Sequence, residues 1–140
     1  MLIDSHAHLE MKEFDSDRGE VIRRAQAAGV DFIITVGTSP VLSRRAVALA
    51  GQYSNIYAAV GVHPHDVGKI GDKTYDELKK LAGEKKVVAY GEIGLDFFRN
   101  ISPRAQQIEK FGEQLQLAKE LNLPVIIHDR EAHEQSLEMV

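Results

Sequence analysis

The feature that most constrains this 140-residue chain is a series of short apolar runs, each followed by residues at helical spacing. The runs begin with Leu2-Ile3 and continue at residues 31–37, 56–62, 87–91 and 124–127. Each has strand length and is apolar at successive rather than alternate positions, so burial on both faces is expected. Such strands belong to parallel sheets covered by helices. Val21, Ile22, Ala25 and Ala28 follow Asp17 at helical spacing, which predicts an N-cap at Asp17 and a stop at Gly29. Ser39-Pro40 supplies a cap and a first-turn proline for a helix with Leu42, Ala46, Leu49 and Ala50. Further helices are expected around Tyr75, Leu78 and Leu81, after Ser102-Pro103 with Ile108, Phe111, Leu115 and Ala118, and over residues 131–140. The strand-helix unit therefore recurs about every 25–35 residues, in one domain over residues 1–140, without linker or low-complexity tract.

Composition narrows the chemistry. The net charge of −4 argues against a surface that coats nucleic acid indiscriminately, though not against a local basic rim. There is no cysteine, so any bound metal must be held by histidine and carboxylate. The N-terminus lacks a basic segment followed by a long apolar stretch, and no run approaches the ~18 apolar residues of a membrane span. A soluble, cytoplasmic location and no membrane partner are the expectation.

Chemistry-bearing residues fall where the strands end. His6 and His8 follow Leu2-Ile3, His63 and His65 follow the run at 56–62, Glu92 follows that at 87–91, and His128 follows that at 124–127. In a strand His6 and His8 project to the same face, ~7 Å apart, and two such imidazoles can grip one divalent ion. His-x-His alone is a weak pattern that exposed strand histidines also produce. Glu92 lies between glycines in Gly91-Glu92-Ile93-Gly94, where backbone can approach a ligand closely, and its carboxylate could bridge two ions. The bland alternative is a solvated loop glutamate. Asp96 suits a supporting position behind a ligand, or a cap on its own loop. His128 is either a ligand at the strand top or a satisfied core histidine. Arg99 and Arg130 lie just past strand ends and suit phosphate oxygens, or are merely solvated. Active sites of (β/α) barrels occupy the carboxyl face, as do ligands of open doubly wound sheets. No glycine-rich phosphate fingerprint follows the first strand, which favours the barrel.

Four motifs carry a more specific resemblance: Ile3-Asp4-Ser5-His6-Ala7-His8, Gly61-Val62-His63-Pro64-His65, Gly91-Glu92-Ile93-Gly94-Leu95-Asp96-Phe97 and Pro124-Val125-Ile126-Ile127-His128. In that order and spacing the chain resembles the TatD family of metal-dependent deoxyribonucleases, within the amidohydrolase-type TIM barrels. The resemblance implies an α/β fold, a (β/α)8-type barrel of which about the first five units are present. It also implies a hydrolase of DNA phosphodiester bonds with two divalent ions, zinc, manganese or magnesium. His6 and His8 would serve one metal, Glu92 would bridge, and His128 would serve the other, with Glu92 and His128 in the catalytic role. His63 and His65 would lie beside the metals for substrate contact or proton transfer, or play a structural part in the loop. Arg99 and Arg130 complete the expected substrate contacts.

One departure matters. A complete barrel takes about 250 residues, and the family pattern carries a further histidine after the sixth strand and an aspartate after the eighth. His133, five residues after His128, stands in neither place. The expectation is therefore a first half-site whose remaining barrel comes from a longer chain or from another one. Two further readings stand beside it: an amidohydrolase acting on C–N or lactone bonds, and an inactive half-barrel serving as a binding module.

Overall fold

Because every strand is followed by a helix that returns the chain to the same end of the sheet, the strands can only pair in parallel. The computed structural model describes residues 1–140, apart from the side chain of Asp72. Its main elements are β1 (Ile3–Ala7), α1 (Arg18–Ala27), β2 (Phe32–Val36), α2 (Pro40–Gln52), β3 (Ile56–Val60), α3 (Asp72–Ala82), β4 (Val87–Asp96), α4 (Arg104–Glu120), β5 (Val125–Arg130) and α5 (His133–Met139). The strands lie in sequence order, β1-β2-β3-β4-β5, and every neighbouring pair is parallel. This is five-eighths of a (β/α)8 barrel. Among the described residues, no helix is long and apolar enough to cross a membrane.

The two-residue period of the strands divides the apolar side chains between two cores. Ile33, Ala58 and Tyr90 pack with Ile22, Leu49, Leu78, Phe111 and Leu117 of the helices, forming the layer between sheet and helices. On the opposite, concave face, Val36, Ala59 and Ala89 cluster with Ile34 and Ile126. The outer core is closed: Leu78, Tyr90 and Phe111 are each 0% exposed. The inner face is open, and at its lower end lies an apolar depression of about 260 Å³ lined by Met1, Ile3, Phe32, Ile34, Tyr57 and Val88. The strands at the two edges are the exposed ones, with Ile3 and Ile127 well open to solvent.

Helix boundaries follow the sequence signals unevenly. Ser39 Oγ accepts the N–H of Leu42 and Pro40 opens α2, as expected. Gly29 ends α1 at a φ of 91°, where residues with a Cβ are disfavoured. Asp17 occupies the N-cap position of α1, but its side chain makes no capping bond. Ser102 does not cap α4 either. Pro103 holds that position, and Ser102 Oγ instead donates to the carbonyl of His65 at 3.0 Å, tying two loops of the carboxyl face together.

The main correction concerns β4. A strand ending at Gly91 with Glu92 in the following loop was the expectation, yet pairing continues to Asp96, with Gly94 opposite His128 and Asp96 opposite Arg130. Ile93 and Leu95 are fully buried, and their packing holds the extension in place. Gly94 allows it: at a φ of 143° a Cβ would lie 2.0 Å from the carbonyl oxygen of His128. A Gly94→Ala substitution should therefore force β4 and β5 apart where they carry the site. Strain of this kind costs about 1–3 kcal/mol, and the backbone clash adds to it. A urea midpoint equal to that of the unsubstituted protein would refute this account of the β4–β5 seam.

Candidate metal centre

The cluster draws on four strands and the loops after them: His6 from β1 with His8 just beyond it, His63 and His65 from the loop after β3, Glu92 and Asp96 from within β4, and His128 from β5. Glu92 is the hub, 7% exposed, with its N–H bonded to the carbonyl of Gly37 beyond β2. Its two oxygens face different partners. Oε2 lies 3.3 Å from His6 Nε2 and 3.6 Å from His8 Nε2, whereas Oε1 lies 2.8 Å from His128 Nδ1 and 3.9 Å from His63 Nε2. Two groups consequently have ligand atoms close enough to converge on an ion, His6 with His8 and Glu92, and His63 with Glu92 and His128. They share one carboxylate.

The supporting bonds decide which nitrogen each ring presents. His8 Nδ1 sits 2.8 Å from the carbonyl oxygen of Val36, which can only accept, so this nitrogen carries the proton and Nε2 offers its lone pair toward Glu92. Behind it Glu10, 1% exposed, places Oε1 3.4 Å from the same Nδ1 and accepts the Thr35 hydroxyl at Oε2, 2.5 Å away. His128 is held in the same manner. Its Nε2 is 3.2 Å from Asp96 Oδ2, which leaves Nδ1 facing Glu92. Such a carboxylate behind a histidine fixes its tautomer and strengthens it as a ligand. The donor set of imidazole and carboxylate oxygens therefore fits a divalent cation.

His63 differs. Its Nδ1 accepts the backbone N–H of His65 at 3.1 Å, so the neutral ring carries its proton on Nε2. Its Nε2 lies 3.1 Å from His128 Nδ1 and 3.9 Å from Glu92 Oε1, so its N–H faces the cluster, which makes His63 better suited to donate than to ligate. His65 Nε2 bonds to Asp96 Oδ2 at 2.7 Å, joining the two histidines of this loop to the rest of the cluster. Asp96 is itself fully buried, with its N–H donated to Gln107 Oε1 and its Oδ1 accepting the N–H of Arg99. The two arginines do not join the cluster. Arg99 contributes a backbone N–H to Asp96, while its exposed guanidinium bonds to no site residue among the described ones. Arg130 lays its guanidinium over Phe98.

The electrostatics follow from the packing. Burial would raise Glu92, but the His128 hydrogen bond and the fields of His63 and His6 hold its carboxyl down at about 2. Burial also works to raise Asp96, yet the Arg99 N–H and the His65 and His128 bonds keep it at about 2. The bond to Glu92 pushes His128 above the ordinary imidazole value, and the bond to Glu10 does the same for His8. Burial drives His63 down to about 4, so it stays neutral near pH 7.

Glu10 and Thr35 escape a reading of strand ends. Glu10 sits in a polar stretch after His8, and only the fold reveals that it turns back into the core beneath Thr35 of β2. A glutamate two residues beyond a His-x-His pair was the available signal.

Residues 3–140 match the family described as TatD related DNase. The chain belongs to that family. A 3'-5' ssDNA/RNA exonuclease TatD of Cronobacter sakazakii is 45% identical over 139 residues, 99% of this chain and 53% of the relative. An uncharacterized metal-dependent hydrolase of Bacillus subtilis, YabD, is 45% identical over 96% of this chain and 52% of its own length. Among solved structures, a TatD homologue of Escherichia coli superposes with a TM-score of 0.91 at 38% identity, covering 98% of this chain and 54% of that one. The chain thus spans about half the length of the TatD relatives it matches, and its five strands are the corresponding part of their barrel.

Removing one carboxylate charge should shift the facing imidazole in a definite direction. Glu92 favours the protonated form of His128, so Glu92→Gln should lower the His128 titration midpoint, and Glu10→Gln should lower that of His8. Imidazole carbon–proton NMR on the metal-free protein reads both. Midpoints that stay where they were would show that these carboxylates do not govern the rings.

Proposed function

We propose that this chain provides the greater part of a binuclear centre for phosphodiester hydrolysis in DNA. Supporting this is the division of Glu92, whose Oε2 faces His6 and His8 while Oε1 faces His128. On this reading His6 and His8 would hold one cation and His128 the other, with Glu92 shared between them as the bridging ligand. When bound, two such cations supply an activated water and neutralise charge developing on the phosphoryl group. Zinc, manganese and magnesium all accept histidine and carboxylate, and histidine richness favours the first two.

The chain's own groups do the rest. Asp96 and the Val36 carbonyl keep the rings of His128 and His8 turned toward the centre. Glu10 supports His8 from behind. Neutral His63 directs its Nε2–H into the site, where it can donate to a phosphoryl oxygen, and His65 holds His63 through its backbone N–H. Arg130 and Arg99 lie on the rim, where phosphates of an approaching strand would pass. DNA as the substrate is supported by the likeness to the Cronobacter relative, a 3'-5' ssDNA/RNA exonuclease. Residues 1–140 act on this proposal as one N-terminal portion of a barrel. The remainder would be supplied by further sequence or by another chain, covering the apolar depression and the two edge strands.

The metal site and the open side of the sheet can each be tested. In a completed barrel containing this chain, Glu92→Gln should abolish chelator-sensitive cleavage of DNA, and Asp96→Asn should cost on the order of 10–100-fold. Near-normal turnover of Glu92→Gln would rule out a bridging carboxylate. Cleavage of an amide or lactone with DNA left intact would favour the amidohydrolase alternative. His6→Ala combined with His8→Ala should remove one equivalent of metal by elemental analysis, with helix content little changed.

A separate measurement concerns the open side. Residues 1–140 alone should self-associate and bind a hydrophobic dye, because the inner face and both sheet edges lack cover. A dye-silent monomer by light scattering would mean that the concave face needs no partner.

A further inference from the structure

Beyond the cluster the carboxyl rim carries an aromatic ring that the fold does not use. β4 leads from Asp96 into Phe97 and Phe98, and the two rings have different fates. Phe97 is half-buried and lies under Arg104 of α4, 4.6 Å from ring centroid to guanidinium carbon. Phe98 is 53% exposed although Arg130 covers it at 4.1 Å. With one face occupied by a guanidinium, more than half of the side chain still meets water. Exposing a phenylalanine this way contributes nothing to the core.

Its position follows from the turn after β4, which sets its ring against Arg130 of β5. Asp96 pairs with Arg130 across β4 and β5, and Gly94 pairs with His128. Arg130 therefore stands two residues beyond His128 on β5, and Phe98 two residues beyond Asp96, which itself contacts His128 Nε2 at 3.2 Å. Two residues along a strand keep the same face and advance ~7 Å, which places Arg130 outward of His128, while Phe98, in the turn that follows β4, lies against the Arg130 guanidinium. The Phe98–Arg130 stack thus sits one step outward of the Glu92–His128–Asp96 group, at the mouth of the site. The stacking also orients Arg130: its plane lies on the ring, and its N–H edge meets no acceptor among the described residues.

We infer that Phe98 and Arg130 form a stacking platform for an unpaired nucleobase of a single-stranded nucleic acid whose phosphate occupies the site. This rests on the phosphodiesterase reading above and extends it to how the strand is held. A planar base would extend the stack by lying on the open part of Phe98, while the Arg130 N–H edge meets a phosphate of the same strand. Every base offers a π-face, so the platform tolerates sequence. A base inside a duplex is already stacked on its neighbours and must leave them first. The platform therefore favours single strands and frayed ends.

Residues 1–140 hold no tryptophan, so Phe98→Trp places one fluorescent reporter in this part of the protein and keeps a flat ring in place. The test uses the protein containing this chain and three probes: a short single-stranded oligodeoxynucleotide, the same strand made abasic at its terminal residues, and a blunt duplex. Without metal, Phe98→Ala should weaken binding of the single strand on the order of tenfold or more, and binding of the abasic strand should not change. Phe98→Trp should restore affinity, and its emission should be quenched by the single strand far more than by the abasic strand. Arg130→Ala should weaken both strands, because it removes a phosphate contact as well as part of the stack. Equal losses by Phe98→Ala on normal and abasic strands would overturn the platform, as would no loss on either or no binding of the single strand by the unsubstituted protein. Chelator-sensitive cleavage of the single strand, assayed separately with metal, reports on the nuclease reading. Its absence alongside base-dependent binding would sink that reading and leave the platform standing.

Discussion

A buried carboxylate surrounded by imidazoles is the constraint on which this structure turns. Glu92 is 7% exposed, and a charge so placed is tolerable only if partners compensate it. His6, His8, His63 and His128 surround it, delivered by three different loops and strands. The sheet must hold the ends of β1, β3, β4 and β5 around that carboxylate. The extension of β4 to Asp96, the close passage at Gly94 and the two carboxylates behind the histidines all serve that arrangement.

The support is layered outward from the carboxylate. Rings that face it are turned by acceptors behind them, and those acceptors are anchored in turn. Asp96 is gripped by Gln107 of α4 and the Arg99 N–H, and Glu10 by Thr35 of β2. Gln114, also fully buried, pairs with both backbone groups of Val62 and so braces the strand end that leads into His63. The buried glutamines of α4 are therefore part of the site's frame, holding the backbone of Asp96 and Val62 rather than any side chain that faces Glu92.

Much of this was legible in the residues. Apolar runs at regular intervals announce the parallel sheet, and the positions of His6, His8, His63, Glu92 and His128 after those runs place them at one face. The rest escaped for identifiable reasons. A strand that continues through Gly91-Glu92-Ile93-Gly94 looks like a loop, since glycine and charge normally interrupt strands. Only burial of Ile93 and Leu95 reveals otherwise. Ser102 was expected to cap a helix because serine before proline commonly does, and its hydroxyl found a carbonyl in the neighbouring loop instead. Glu10 is far in sequence from Thr35, so their contact belongs to the tertiary fold alone. Arg130 and Phe98 likewise meet only because β4 and β5 are in register.

Strand order has a kinetic corollary. Every pairing in the sheet joins a strand to the next one along the chain, across separations of about 23 to 35 residues. Closing such loops costs nearly the same entropy each time, because that cost grows only with the logarithm of length. The sheet can therefore assemble by successive addition, each unit docking on the one before it, with no distant pairing to wait for. In a closed barrel built this way, only the final seam, where the last strand meets β1, must bridge most of the polypeptide. By that argument the slow, topologically demanding step of folding lies at the β1 edge, and the five units described here lie on the fast side of it.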